Sequence, residues 1–308
     1  MPERRFPRLV GLYSQAIKEY CEALEWDHEK FKVCISDEGI SHPDLYLEDP
    51  NAGIIDKLSQ FLEPTNQSSI FIIWDEVGMG KSSIRDFVVK SLEEVEAYHA
   101  LLITDPRLTP FQFLRVITSQ LGLEIPGVER RQIRDALEEK LLELSEQGMH
   151  IVIWVDEAEK ITKEVMGELR ALSDLKTEGG TKACKLILSG TPRLVEKIEE
   201  YITKDPENVA AFDDRASLNT FRLSKWTAKD IMNYWRLLSS FCGRRNPFTP
   251  EAAETVYKIS EGKPRTIAQV TKLVLNLKAM DYHMSRGSLE ISSGNVLLAL
   301  KGCLSEGE

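Results

Sequence analysis

Between residues 70 and 83 the sequence reads IFIIWDEVGMGKSS. A β-branched apolar run leads into a turn with glycines at 78 and 80, then into a lysine and two hydroxyls that open an amphipathic segment, SIRDFVVKSL. These residue types in this order suit the cradling of a polyphosphate. Gly78 and Gly80, with Val77 and Met79 beside them, let the backbone turn its N–H groups toward anionic oxygens, and the helix that begins at Lys81, Ser82 and Ser83 adds a favourable dipole. The Lys81 ammonium suits the β and γ phosphates, and the Ser82 hydroxyl suits Mg2+. The familiar spacing, G-x-x-x-x-G-K-[ST], asks for one more glycine, where this chain has Asp75. The residues that approach phosphate most closely are the later ones, so Asp75 bears on affinity and rate. Two roles for it stay open, a cap on the turn or an unfavourable charge near phosphate.

A second stretch, IVIWVDEAEKIT, ends an apolar strand pattern in adjacent acids, Asp156 and Glu157. At the carboxyl end of a parallel strand, acids face the crevice where such sheets bind ligands. Asp156 is placed to hold the Mg2+ shell and Glu157 to polarise an attacking water, since phosphoryl transfer needs little beyond positioning and charge stabilisation. The next strand pattern, LILSGTPRL, offers the hydroxyls of Ser189 and Thr191 near a γ-phosphate; alternatively Thr191 caps the helix of PRLVEKIEEYI.

The elements that must position these groups are legible. Strand patterns at 70–74, 100–104, 150–155 and 185–190 alternate with helical ones, which predicts βαβ units and a buried, mostly parallel sheet. Thr109 and Pro110 start one helix, and ERRQIRDALEEKLLELSEQG keeps Ile133, Leu137, Leu141 and Leu144 on one face. After about residue 205 helical patterns take over, with Thr249, Pro250 and Glu251 as a clear start. The expected organisation is an N-terminal helical extension over 1–50, a nucleotide-binding α/β core over 51–205, and a last core strand with a helical domain over 206–308. In the extension, LVGLYSQAIKEYCEALEW is an amphipathic helix, suited to packing on the chain's own core or to docking a partner, and Tyr46 is a weak candidate for facing an adenine.

Composition sets the bounds. The 308 residues are 42% hydrophobic and 29% charged, long enough for two domains. No apolar run reaches the roughly 18 residues of a membrane span, and the start lacks a secretory signal, so a cytoplasmic protein is expected. The five cysteines are scattered, without C-x-x-C spacing, and read as reduced thiols. The net charge of −10 is uneven: residues 206–308 carry 14 Lys and Arg against 11 Asp and Glu, leaving −13 on residues 1–205. Any anionic partner must therefore meet a local patch. Arg130, Arg131 and the loop KTEGGTKACK, residues 176–185, are the candidates for it.

Taken together, VGMGKSS, ITDPRLTPFQFLRVITSQLGL, the run from IVIWVDEAEK to LILSGTPRL, and FTPEAAETVYKISEGKPRTIAQV resemble the AAA+ ATPases, over roughly residues 50–300. Within them the chain is similar to the group of the general-secretion ATPase ExeA and the transposition regulators TnsC, TniB and MuB. The resemblance implies a P-loop NTPase core with a parallel sheet flanked by helices, then a small all-helical lid, with ATP and Mg2+ as cofactors. It makes Lys81 and Ser82 the Walker A pair, Asp156 and Glu157 the Walker B pair, and Thr191 or Ser189 the sensor-1 residue. GKPR makes Arg265 the sensor-2 residue, and Arg215, with Arg222 as rival, the arginine finger. A finger acting in trans implies a homo-oligomer, a ring or helical filament, that is slow as a monomer. The relatives imply assembly on double-stranded DNA with a transposase or other protein partner, as a transposition or recombination regulator. The alternative is a nucleotide-dependent protein-interaction switch or secretion-type ATPase without DNA.

Overall fold

The computed structural model describes residues 5–36, 40, 42–124, 129–204 and 219–304. The chain divides into two compact units, one of Asn51–Val77 with Ile84–Leu223 and one of Met1–Pro50, Gly78–Ser83 and Ser224–Glu308.

The first is built on five strands, β1 (Ile70–Trp74), β2 (Tyr98–Ile103), β3 (His150–Val155), β4 (Cys184–Gly190) and β5 (Thr220–Arg222). Their order is β2-β3-β4-β1-β5 and every neighbouring pair is parallel. Parallel neighbours need crossovers, and helices supply them. They are α4 (Lys81–Glu93, the sheet unit holding it from Ile84), α5 (Pro110–Gln120), α6 (Arg130–Glu146), α7 (Lys163–Asp174) and α8 (Pro192–Lys204), while α3 (Ala52–Leu62) precedes β1. Strand side chains such as Ile153, Leu186 and Leu188 share one core with Phe113 and Ile117 of α5, Ile133, Leu137 and Leu141 of α6, and Leu169 of α7. Each such aliphatic side chain withdrawn from water is worth about 1.5–3 kcal/mol. Thr109 caps α5 in a reciprocal box: its Oγ1 accepts from Gln112 N at 3.3 Å, and Gln112 Oε1 accepts from Thr109 N at 2.9 Å.

Two of the three lysines in the basic stretch 176–185 are tied to backbone and are not free to form a surface patch. Lys176 and Lys182 form an antiparallel bridge closed by Thr177 N donating to Thr181 O. The Lys182 ammonium is buried and donates to Ser173 O at 2.5 Å. Lys185, on β4, donates to Asn66 O and Ser68 O over the Phe61 ring, and burial pushes its pKa down to about 8. The turn needs these cations to satisfy backbone carbonyls, which leaves Lys176 as its exposed lysine. Arg130 likewise opens α6 and ion-pairs with Glu168, a buried acid of α7.

The second unit is helical: α1 (Arg5–Leu24), α2 (His28–Ser36), α9 (Ala228–Cys242), α10 (Pro250–Ser260), α11 (Pro264–Ser285) and α12 (Ser293–Leu304). Helix α1 packs against α11 and buries Ala16, Tyr20, Cys21 and Leu24. Its Tyr20 hydroxyl donates to Leu289 O at 2.7 Å, and Trp26 Nε1 donates to Arg245 O at 2.7 Å. Part of the amphipathic face of the N-terminal helix is thus spent within its own unit, while Leu12 and Tyr13 stay exposed. Thr249 caps α10 as its sequence predicts, Oγ1 accepting from Ala252 N. The sulfurs of Cys34 and Cys242 lie 3.8 Å apart, a pairing that sequence separation concealed. No helix among the described residues is long and apolar enough to cross a membrane.

Candidate functional site

In the sheet unit the register aligns Val155 with Leu188 and Trp74 with Gly190, so β3, β4 and β1 end on one side of the sheet. Asp156 follows β3, its N–H donating to Ile103 O at 2.9 Å. Its carboxylate is held on both oxygens. Oδ1 accepts from Ser189 Oγ at 2.7 Å and from Glu157 N at 3.0 Å, while Oδ2 pairs with Arg85 Nη1 at 2.5 Å. Ser189, fully buried, in turn accepts from Trp154 Nε1 at 2.9 Å. A relay of donors therefore runs from the indole through the hydroxyl to the acid. Within the structure the Ser189 hydroxyl orients Asp156.

Glu157 has φ 50° and ψ 38°, the left-handed region that costs a non-glycine residue about 1 kcal/mol. Its carboxylate is half exposed and ion-pairs with Lys160. Thr191 begins the turn into α8, its N–H donating to Glu159 Oε2 at 3.2 Å. Its Oγ1 is buried without a hydrogen-bond partner among the described residues, so the hydroxyl does not cap α8. Of the two hydroxyls that the sequence offered, one is committed and one is left unmatched.

Asp75 is buried. Its Oδ1 accepts from Glu76 N at 2.7 Å and lies 3.4 Å from Arg222 Nε, whose guanidinium sits over the Trp74 ring. The residue in the place of the missing glycine caps its own turn and neutralises its charge on the strand next door. Arg222 is engaged within its own chain by that contact. Arg215 lies outside the described residues.

In the helical unit Gly78 and Gly80 have φ of +88° and +94°. The Gly78 carbonyl accepts from Arg265 N at 3.0 Å, and a Cβ at Gly78 would come within 3.2 Å of Arg265 Cβ. The start of α11 thus lies against the loop backbone, with Arg265 exposed. Gly262, which opens GKPR, has φ +75°, and a Cβ there would stand 2.3 Å from Trp226 O; no other residue fits. Val77 is exposed and Met79 buried, and Ser83 Oγ donates to Ile40 O at 2.5 Å. Lys81 and Ser82 begin α4, half-buried and exposed respectively.

Sequence reasoning missed Arg85, Trp154 and Ile40. Arg85 stands four residues after Lys81 and so shares its helix face, a signal that was available; the other two act through an indole and a carbonyl that no motif marks. Each unit taken by itself has a feature that suits an anion or its metal: in the helical unit paired left-handed glycines leave the loop backbone without side chains, and in the sheet unit an acid stands at a strand's carboxyl end with the unmatched Thr191 hydroxyl.

Residues 65–198 match the family model of an AAA domain. Over 259 residues, 83% of this chain, it is 25% identical to General secretion pathway protein A of Aeromonas hydrophila. It spans 44% of that relative's length. Among solved structures, the Aeropyrum pernix ORC2 protein in its ADPNP-ADP complexes matches with a TM-score of 0.62 at 17% identity, over 89% of this chain and 71% of that one. Cdc6p of Pyrobaculum aerophilum matches at 0.59 and 14%, over 84% and 67%. The RuvB Holliday junction branch migration motor of Thermotoga maritima matches at 0.51 and 18%, over 82% and 68%. The fold is that of the P-loop AAA+ ATPases, a five-stranded parallel sheet flanked by helices with a helical C-terminal region.

Proposed function

We propose, from the AAA-domain match and the residues at the strand ends, that this chain binds ATP with Mg2+ and hydrolyses it. The observation that carries the reading is the Asp156 carboxylate, oriented by Ser189 and by Glu157 N beside an acid in strained backbone. In this reading the backbone of residues 77–80 and the Lys81 ammonium bind phosphate oxygens, and Ser82 and Asp156 hold the metal, which supplies charge neutralisation. Glu157 orients and deprotonates water, Thr191 Oγ1 meets the γ-phosphate as sensor, and Arg265 reports its presence from α11. Arg215 is the finger toward a neighbouring copy, because Arg222 is engaged with Asp75. Binding and single-turnover assays test this. Lys81→Ala is expected to abolish nucleotide binding, and Glu157→Gln to bind ATP and fail to cleave it; wild-type binding by Lys81→Ala would end the reading.

The coupling we favour is an assembly state set by the nucleotide, as in a secretion-type switch. A DNA-bound transposition or recombination regulator loses two of its phosphate-contact candidates, because Lys182 and Lys185 are buried against backbone carbonyls. Electron microscopy with a slowly hydrolysed ATP analogue, with and without duplex DNA, separates the two. Rings or filaments that ignore DNA are expected, and filaments that require it would reverse the preference. Turnover per subunit should rise with protein concentration as the oligomer forms.

A further inference from the structure

The guanidinium of Arg85 bridges two carboxylates. Nε and Nη2 hold Asp86 Oδ1 at 2.8 and 2.7 Å, and Nη1 holds Asp156 Oδ2 at 2.5 Å. The arrangement is largely shielded, the Arg85 side chain 16% exposed and that of Asp156 11%. Asp156 Oδ1 is already taken by Ser189 and Glu157 N. Oδ2 carries the negative charge that a divalent cation would meet, and among the described residues it is Arg85 that neutralises it. A guanidinium with five donors can serve both acids, and its second grip, on Asp86, remains if the first is released.

We propose that Arg85 is a positioning residue that competes with magnesium for Asp156, yielding the carboxylate by falling back on Asp86, so that the magnesium requirement of nucleotide binding is set within the chain. The inference rests on the reading of Asp156 as a metal-holding acid. A permanent structural tie would be a poor use of this pair. Shielded ion pairs seldom stabilise more than apolar packing does, and the adjacent Asp86 already gives the cation a partner. Removing the guanidinium leaves Asp156 with its full charge for the metal. Removing the charge of Asp86 leaves Arg85 with Asp156 as its sole anionic partner in the bridge.

The test is a titration of MgCl2 against a fluorescent N-methylanthraniloyl-ATP probe bound to the full chain, with thermal unfolding of the same variants in the absence of nucleotide and metal. Arg85→Gln is expected to lower the half-saturating magnesium about tenfold, equivalent to ~1.4 kcal/mol. Asp86→Asn should raise it severalfold, and Arg85→Lys should fall between wild type and Arg85→Gln because it keeps the charge but not the fork that spans both acids. Loss of packing alone lowers the unfolding temperature without driving the two midpoints in opposite directions. Midpoints that move together or not at all in Arg85→Gln and Asp86→Asn, with magnesium-dependent binding by the wild type, would overturn the competition while sparing the site. Wild-type binding that ignores magnesium would overturn the role of Asp156 and this inference with it.

Discussion

The end of β3 and the loop after β1 present two ways of holding a functional group. At the end of β3, side chains do it: Trp154, Ser189 and Arg85 converge on Asp156 through hydrogen bonds of 2.5–2.9 Å. In the loop, backbone does it: Gly78 and Gly80 adopt left-handed angles, and Arg265 contributes its N–H to Gly78. The first region depends on its polar partners, Ser189 and Arg85 each holding one oxygen of Asp156. The second tolerates most partners but not an added carbon. The difference teaches where substitutions will be read as loss of a bond and where as loss of a conformation.

The largest expected effect is at another place held by backbone, the turn that leads into α11. Gly262→Ala puts a Cβ 2.3 Å from Trp226 O at a positive φ, and should cost about 3 kcal/mol or more in chemical denaturation. A loss under ~1 kcal/mol would show that this junction is softer than its glycine suggests. Next comes the side-chain region. Ser189→Ala removes the acceptor of a buried indole and a donor to Asp156, and about 2 kcal/mol of stability should go with it. Glu157→Gly crosses the two categories, relieving a left-handed residue within the side-chain region; stability should rise by up to ~1 kcal/mol while single-turnover hydrolysis is lost.

The smallest effect is one of pH. Lys185 has a pKa near 8 in the fold because burial disfavours its charge, and an ordinary one near 10.5 when unfolded. Between those values the unfolded chain binds more protons, so stability gains with rising pH. The unfolding free energy of the wild type relative to Lys185→Met should therefore increase from pH 8 to pH 10. A flat difference would show that the two carbonyl contacts of Lys185 offset its burial.

The sheet was readable because buried parallel strands write themselves as uninterrupted β-branched runs, as in IFIIW and HIVIWV. Helix starts were readable at Thr109 and Thr249 because a cap is a local bargain between a hydroxyl and a backbone N–H two or three residues on. The acids of the strand end could be named for the same reason, being fixed by position along one strand. Charge was the misleading signal. Lys182 and Lys185 look like a basic surface in the letters and prove to be buried partners of carbonyls, since no local pattern tells a buried cation from a solvated one. Asp75 was opaque in the same way, its partner Arg222 standing 147 residues away.

The chain from Trp154 to Asp156 has an optical consequence. An indole N–H that donates to Ser189, which donates to the carboxylate, ties a chromophore to the acid through two hydrogen bonds. Withdrawal of charge from Asp156 weakens the pull on the serine proton and alters the field along the indole. The fully sheltered ring has no moving solvent to blur that change. Trp154 is thus a fluorophore that stands two hydrogen bonds from a single aspartate.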